Sequence, residues 1–413
     1  MNSESRHPEL LPLTGLRFLA ALLICFAHTV PKVIPSRYNE FFSSIGTEGM
    51  TLFFVLSGFV IHYNYSALIK KNVLLGTYNF IISRFARLYP LFFVCLTYDL
   101  FSQYKHSILT PYVKSIIIYY LTLTHAWFYI PFGKNALIYQ LGLMPQVTWS
   151  ISTEWFFYLC YPIILFVLLR NSTLNKAIVR TCLLSFIFMS TVLIIAYNKN
   201  LINEYAISIY GPIADNNTNI QDSFFRWLIY FSPYSRIFEF ILGCCIASIH
   251  FKVASFKPTK KEELIGYIAI IGAIIGLVIM HYFVFNPPFH LNFLICLHQN
   301  FGFAPLIAII IFCCARYNNI IVNLFSKKWI IIGGEMSYSI YIFHLPIASL
   351  YSDNASYAST FKIACADSYK YLIMLGTIFG ISYLSYKIIE IPCRRWLRKK
   401  MMIKEKIPLL QFN

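Results

Sequence analysis

The sequence predicts an all-α fold, a polytopic membrane helix bundle of about ten transmembrane helices plus one re-entrant or interfacial segment. Three observations predict it. Hydrophobic residues make up 58% of the 413 residues and charged residues only 12%, about half the usual share of a soluble domain. The apolar residues fall into eleven runs, at 15–31, 49–66, 88–102, 115–130, 152–169, 182–197, 234–250, 264–282, 302–315, 329–348 and 370–390. The loops between them alternate between basic and nearly uncharged. With a mean hydropathy of +0.62, these features exclude disorder and a disulfide scaffold and argue against a soluble α/β enzyme.

Loop charge sets the orientation. Residues 1–14, 67–87, 170–181, 251–263, 316–328 and 391–413 hold 22 Lys and Arg residues, while 31–48, 131–150, 198–235, 283–301 and 349–369 hold six. The first set is expected on the cytoplasmic side, which puts both termini inside. That requires an even number of crossings, and eleven runs are odd. The conflict lies between 88 and 130, where Lys105 and Lys114 favour an inside location for the connection and make 88–102 the suspected non-crossing segment. The polar loop 198–233, centred on Asp215-Asn216-Asn217-Thr218-Asn219, is expected outside.

The net charge of +17 would point to nucleic acid in a soluble protein. Here the cations sit in short patches between apolar runs, so they read as topology signals with an anionic-lipid contact, and no nucleic acid is expected. Most of the 11 cysteines lie inside apolar runs and show no metal-ligand spacing, so no metal is expected. A disulfide between Cys296 and Cys365 is compatible with their outside loops. The first apolar run contains Arg17 and is followed by no small-residue cleavage site, so the first helix is expected to stay as an anchor. The domain reading is one transmembrane domain over 1–393 and a basic cytoplasmic tail over 394–413.

Ionisable residues inside spans are costly and mark function. Arg17 and His28 are 11 residues apart, which at 100° per residue returns both side chains to one helix face, separated by roughly 16 Å along the axis. They read as an anion-binding Arg and a catalytic His facing one cavity, or as a snorkelling Arg and a packed His. Arg84 and Arg87, at i and i+3 in the 67–87 loop, form a fork suited to phosphate, or serve as positive-inside charge. Glu154 follows Trp149-Ser150-Ile151-Ser152-Thr153, where Ser152 or Thr153 would cap the helix and place the carboxylate in its first turn, at the outer mouth. Arg236 and Glu239 read as an intrahelical ion pair, and His344 sits at roughly the depth of His28. Ser57 and Gly58 read as close helix packing, and Glu48 as an exposed outer-edge residue.

Taken in order, Thr14-Gly15-Leu16-Arg17 through His28, Leu52-Phe53-Phe54-Val55-Leu56-Ser57-Gly58-Phe59, Arg84-x-x-Arg87 with Tyr89-Pro90, Trp149 to Glu154 with Phe157-Tyr158, and Ser337-Tyr338-Ser339-Ile340-Tyr341 with His344 resemble the acyltransferase-3 family of integral membrane O-acyltransferases. The resemblance covers about residues 10 to 390. It implies transfer of an acyl group, usually acetyl from acetyl-CoA, to a hydroxyl of a surface carbohydrate such as O-antigen or of a lipid-linked oligosaccharide, in a bacterial inner membrane. Arg17, Arg84 and Arg87 would then bind the cofactor, His28 would act as base or acyl carrier, Glu154 would orient His28 or the acceptor, and His344 would assist. Relatives often have a second Glu or a hydrophobic residue after the Trp-Ser-x-Ser element, where this chain has Glu154-Trp155. Some relatives carry a hydrolase-like domain of the SGNH type; none is expected within this sequence. The alternatives are a transporter of a lipid-linked sugar or small solute, and a receptor or scaffold without chemistry.

Overall fold

A computed structural model describes residues 9–29, 36–105, 113–133, 135–140, 145–170, 173–285, 292–351 and 368–403. Its helices in chain order are α1 (Leu11–Thr29), α2 (Ser36–Lys71), α3 (Val73–Lys105), α4 (Val113–Leu121), α5 (Pro145–Val167), α6 (Leu174–Tyr197), α7 (Lys199–Tyr210), α8 (Phe224–Arg226) and α9 (Pro233–Val253). They continue as α10 (Lys260–Phe285), α11 (Asn292–Gln299), α12 (Ala304–Arg316), α13 (Ile320–Phe325), α14 (Lys328–Glu335), α15 (Ser337–Leu350), α16 (Ser368–Ser385) and α17 (Ile391–Met401). Among the described residues the only strands are β1 (Pro131–Phe132) and β2 (Asn135–Ala136), a two-stranded antiparallel pair.

Among the described residues eight helical stretches are long and apolar enough to cross a membrane, and α14 with α15, bent by 68° at Met336, counts as a ninth if the bent pair is one broken span rather than a re-entrant loop. The 21-residue α9 has spanning length as well, about 31 Å at 1.5 Å per residue. Its Arg236 and Glu239 lower its hydropathy, and its position inside the bundle keeps those charges from lipid. The chain is therefore a multi-pass helical membrane protein.

Between 72 and 130 the sequence reading needs correction. Only Asn72 separates α2 from α3, so Arg84 and Arg87 lie inside a helix and not in a 67–87 loop. The stretch 88–102 is part of a spanning helix, Val73–Ser102, and the short element is instead the nine-residue α4. Arg84 and Arg87 obscured the continuity of α3, because two cations in an apolar run read as a loop. The 198–233 region also holds more structure than a polar loop: α7 occupies its first part, and Asp215 accepts hydrogen bonds from Asn203 Nδ2 (2.8 Å) and Thr218 Oγ1 (2.9 Å). Basic residues Arg394 to Lys400 form α17, a helical continuation past 393. Cys365 lies outside the described residues.

The core runs along the α2–α9 crossing. A Cβ on Gly58 would stand 2.0 Å from Phe240 O, and one on Gly243 would stand 2.0 Å from Val55 O. Two glycines facing one another let the backbones touch, as the packing reading of Gly58 anticipates. The Arg236–Glu239 pair is as expected: Nη1 donates to Oε1 at 3.0 Å with both side chains fully buried. Arg236 also donates to Gln299 O (2.8 Å) and lies 5.2 Å from the ring centroids of Phe54 and Tyr230, while Thr51 Oγ1 donates to Glu239 (2.8 Å). The pair thus ties α9 to α2 and to the end of α11.

Candidate active site

Two adjoining cavities open beside α1. Arg17, Arg87, Ser57, Ser150 and Glu154 line the first. His28, Gly46, Trp149 and Arg226 line the second. Met50 and Tyr341 line both and form the wall between them. The 11-residue spacing on α1 thus turns Arg17 and His28 towards two adjoining chambers and not towards the one cavity expected.

In the first chamber Arg17 and Arg87 make no hydrogen bond and no ion pair among the described residues. Two guanidinium groups with unused donors, faced by one carboxylate, form a net cationic site suited to phosphate or pyrophosphate. Arg84 does not share it. Its Nη2 donates to Tyr65 Oη at 2.5 Å, and the guanidinium carbon lies 4.6 Å from the Tyr65 centroid and 5.8 Å from that of Tyr158. Of the fork read from the sequence, one tine enters the chamber and the other braces the aromatic residues behind it.

Glu154 lies in the third turn of α5, because that helix starts at Pro145 and not near Ser152. Ser57 Oγ donates to its Oε1 at 2.9 Å, and Tyr158 Oη donates to the same oxygen. Glu154 therefore sits with Arg17 and Arg87 and not in a first turn at the outer mouth. Ser57 is one of its hydrogen-bond donors as well as a small packing residue. Ser152 and Thr153 are not caps. Ser152 Oγ donates to Leu123 O (2.7 Å) and accepts from Ala126 N (3.1 Å), and Thr153 Oγ1 donates to Phe231 O (3.1 Å). Leu123 has φ of 57°, so Ser152 holds a turn that a leucine adopts reluctantly. Ser150 Oγ donates to Tyr341 Oη at 2.7 Å, and Tyr341 Oη donates to Val147 O at 2.7 Å, which fixes the dividing wall.

In the second chamber His28 Nδ1 lies 2.9 Å from Ile24 O and 3.2 Å from His344 Nε2. His344 Nδ1 lies 2.6 Å from Tyr341 O. A carbonyl can only accept, so His344 must carry its proton on Nδ1 and present Nε2 as a lone pair when neutral. His28 Nδ1 faces a carbonyl and that lone pair, so it must carry the proton. The one tautomer pair that satisfies all three contacts leaves His28 Nε2 as a lone pair, and this atom has no hydrogen bond among the described residues. His28 is exposed to the cavity while His344 is fully buried. No hydrogen bond joins Glu154 to His28; the residue that orients His28 is His344.

The sequence reading passed over Tyr341, Tyr158 and Arg226 as individual residues, although the first two lie inside quoted motifs. It also passed over Glu390, buried and accepting from Ser339 Oγ. Its signal was a carboxylate at the end of an apolar run. Glu48, expected to be exposed, is half-buried and bonded to His281.

A multi-pass helix bundle with a cationic chamber backed onto a histidine chamber defines a membrane protein with a candidate group-transfer site. The profile of an acyltransferase domain, Acyl_transf_3, matches residues 12–387, and the chain belongs to this acyltransferase-3 family. Its relatives include the peptidoglycan O-acetyltransferase OatA of Listeria monocytogenes serovar 1/2a, 23% identical over 92% of this chain and 55% of that protein. The O-acetyltransferase OatA of Staphylococcus aureus strain NCTC 8325 is 25% identical over 94% of this chain and 58% of its own length. A putative O-acetyltransferase, SACOL0978 of S. aureus strain COL, is 26% identical over 93% and 57%. The chain therefore spans somewhat over half the length of these relatives. No solved structure matches.

Proposed function

We propose that this protein moves an acetyl group from acetyl-CoA to a hydroxyl of a cell-surface glycan, in the bacterial cytoplasmic membrane and with both termini cytoplasmic. The observation that carries the reading is the pair of chambers sharing Met50 and Tyr341, with unpaired guanidinium groups in one and an oriented imidazole in the other. Arg17 and Arg87 hold the phosphates of the donor, and Arg84 acts through Tyr158 and Glu154. The thioester reaches the shared wall. His28 Nε2 takes the proton of the acceptor hydroxyl as that oxygen attacks the thioester carbonyl. Collapse of the tetrahedral adduct breaks the C–S bond and releases the glycan ester. The CoA thiolate leaves and takes the proton back from His28. While His28 is protonated, its Nδ1–H points at the His344 lone pair, which stabilises the charge.

The name of one relative, the peptidoglycan O-acetyltransferase of Listeria monocytogenes, supports peptidoglycan as the first acceptor to test, ahead of O-antigen or a lipid-linked oligosaccharide. Family membership weighs against the transport alternative. The test uses the purified protein in lipid with radiolabelled acetyl-CoA and defined glycan acceptors. Label in an alkali-labile glycan ester supports the reading. Saturable donor binding without transfer to any acceptor, together with translocation of a glycan, would replace it with transport.

A further inference from the structure

The sequence shows no cluster with metal-ligand spacing, yet the fold assembles one from three separate helices. Glu48 on α2, His281 near the end of α10 and His298 on α11 each present one ligand atom, and these atoms all lie within 4.8 Å of one another. His281 and His298 are 3% and 5% exposed, and Glu48 is half-buried. The His281 and His298 rings meet edge to face with centroids 5.6 Å apart, and Phe303 packs 5.2 Å from His298 on another side. Ser44 Oγ lies 3.3 Å from His281 Nε2 and holds that ring from behind.

We propose that Glu48, His281 and His298 form a Zn2+ site. Two imidazoles and one carboxylate are a borderline-soft, three-ligand set that leaves a fourth position for water. Ca2+ and Mg2+ would require more oxygen ligands than these residues offer. Zinc–nitrogen and zinc–oxygen bonds of about 2.0–2.2 Å bring tetrahedral ligand atoms to roughly 3.4 Å apart. Side-chain rotations would bring the three atoms to that spacing, the hydrogen-bonded His281 and Glu48 moving apart and His298 moving in. Binding displaces the proton shared between His281 Nδ1 and Glu48 to solvent, so neutral imidazole and carboxylate face the ion.

The location gives the ion a use. Glu48 lies two residues beyond Gly46, which lines the His28 chamber, and two before Met50, which forms its wall. A bond from Glu48 to α10 and α11 would pin this part of α2 and hold the shape of the chamber without entering it. Orientation by Ser44 is the kind of outer contact that tightens metal sites.

The test starts with the full-length protein purified in detergent without chelator and assayed for bound metals by mass spectrometry. The protein is then stripped and titrated with Zn2+, and with Co2+ as the spectroscopic probe. The proposal expects one saturable ion per chain, the visible bands of a four-coordinate Co2+ complex, and a melting temperature that rises with Zn2+. Glu48→Gln, His281→Gln and His298→Gln should each weaken binding by more than the roughly 10–100-fold that loss of an outer contact costs. His298→Cys should add a thiolate-to-cobalt charge-transfer band, which an ion pair cannot produce. Absence of a saturable site in the wild type overturns the proposal, whether or not the variants fold. Unchanged affinity in well-folded variants overturns it too, and leaves Glu48–His281 as an ion pair beside a packed His298.

Discussion

His344 Nε2 lies 3.2 Å from His28 Nδ1, and the Tyr341 carbonyl on the far side of His344 fixes which nitrogen of each ring carries a proton. A buried imidazole thus does for His28 what a carboxylate does in many hydrolytic sites: it selects the tautomer that leaves Nε2 with a lone pair in the chamber. A neutral acceptor stabilises imidazolium less than a carboxylate would, but it adds no buried negative charge to the interior of the bundle.

Replacing His344 should therefore lower turnover without abolishing donor binding. His344→Phe removes the acceptor for His28 Nδ1–H, a hydrogen bond worth about 1.5–3 kcal/mol when one partner is charged, or roughly 10–100-fold in rate. His344→Gln, whose side-chain oxygen can accept, should recover part of that loss. Steady-state kinetics on both variants check this: a change confined to the KM for acetyl-CoA would contradict it.

Arg17 and Arg87 should act on the donor. Arg17→Gln or Arg87→Gln removes a charge-assisted contact of about 1.5–3 kcal/mol and should weaken acetyl-CoA binding roughly 10–100-fold, as read by calorimetry. Dephospho-CoA, or a pantetheine thioester without the nucleotide phosphates, should narrow the gap between wild type and variant if the contact is to a phosphate that the analogue lacks. Equal affinities in wild type and both variants would remove the first chamber from the donor site.

Much of this was legible from the residues alone, and the failures have physical causes. The Arg17–His28 spacing exposed one face of α1 because helix geometry converts sequence distance directly into angle. Arg84 and Arg87 were seen as a pair, but the helix containing them was missed. A hydropathy reading stops at cations, whereas Arg84 donates to Tyr65 and lies against the Tyr65 and Tyr158 rings. Ser152 looked like a cap because its use, bonding Leu123 across 29 residues, is a tertiary contact. Glu48, His281 and His298 were invisible as a group, since nothing local marks residues 233 apart as neighbours.

Ser152→Ala should cost stability more than chemistry. It removes the bond to Leu123 O and the acceptor for Ala126 N, in a turn with a left-handed leucine, for a loss of about 1–3 kcal/mol. A lowered melting temperature with near-normal turnover per folded molecule is expected. Full stability with lost turnover would assign Ser152 to the reaction.

At the α2–α9 crossing, Gly58→Val should fail to reach the membrane in folded form. Its Cβ would meet Phe240 O at 2.0 Å, a clash only backbone separation can relieve. Membrane abundance and protease resistance check the effect, and Gly376→Ala, whose Cβ meets nothing within 4 Å, is the control expected to behave as wild type.

Removal of the His28 imidazole should abolish acyl transfer to a surface glycan. Wild type and His28→Ala are expressed at equal membrane abundance in cells lacking the enzyme, and O-acetyl esters on extracted glycan are measured by mass spectrometry. Esters are expected with the wild type and none above background with His28→Ala, their position identifying the acceptor hydroxyl. Equal esterification by both proteins would make His28 structural and contradict the assignment of the second chamber.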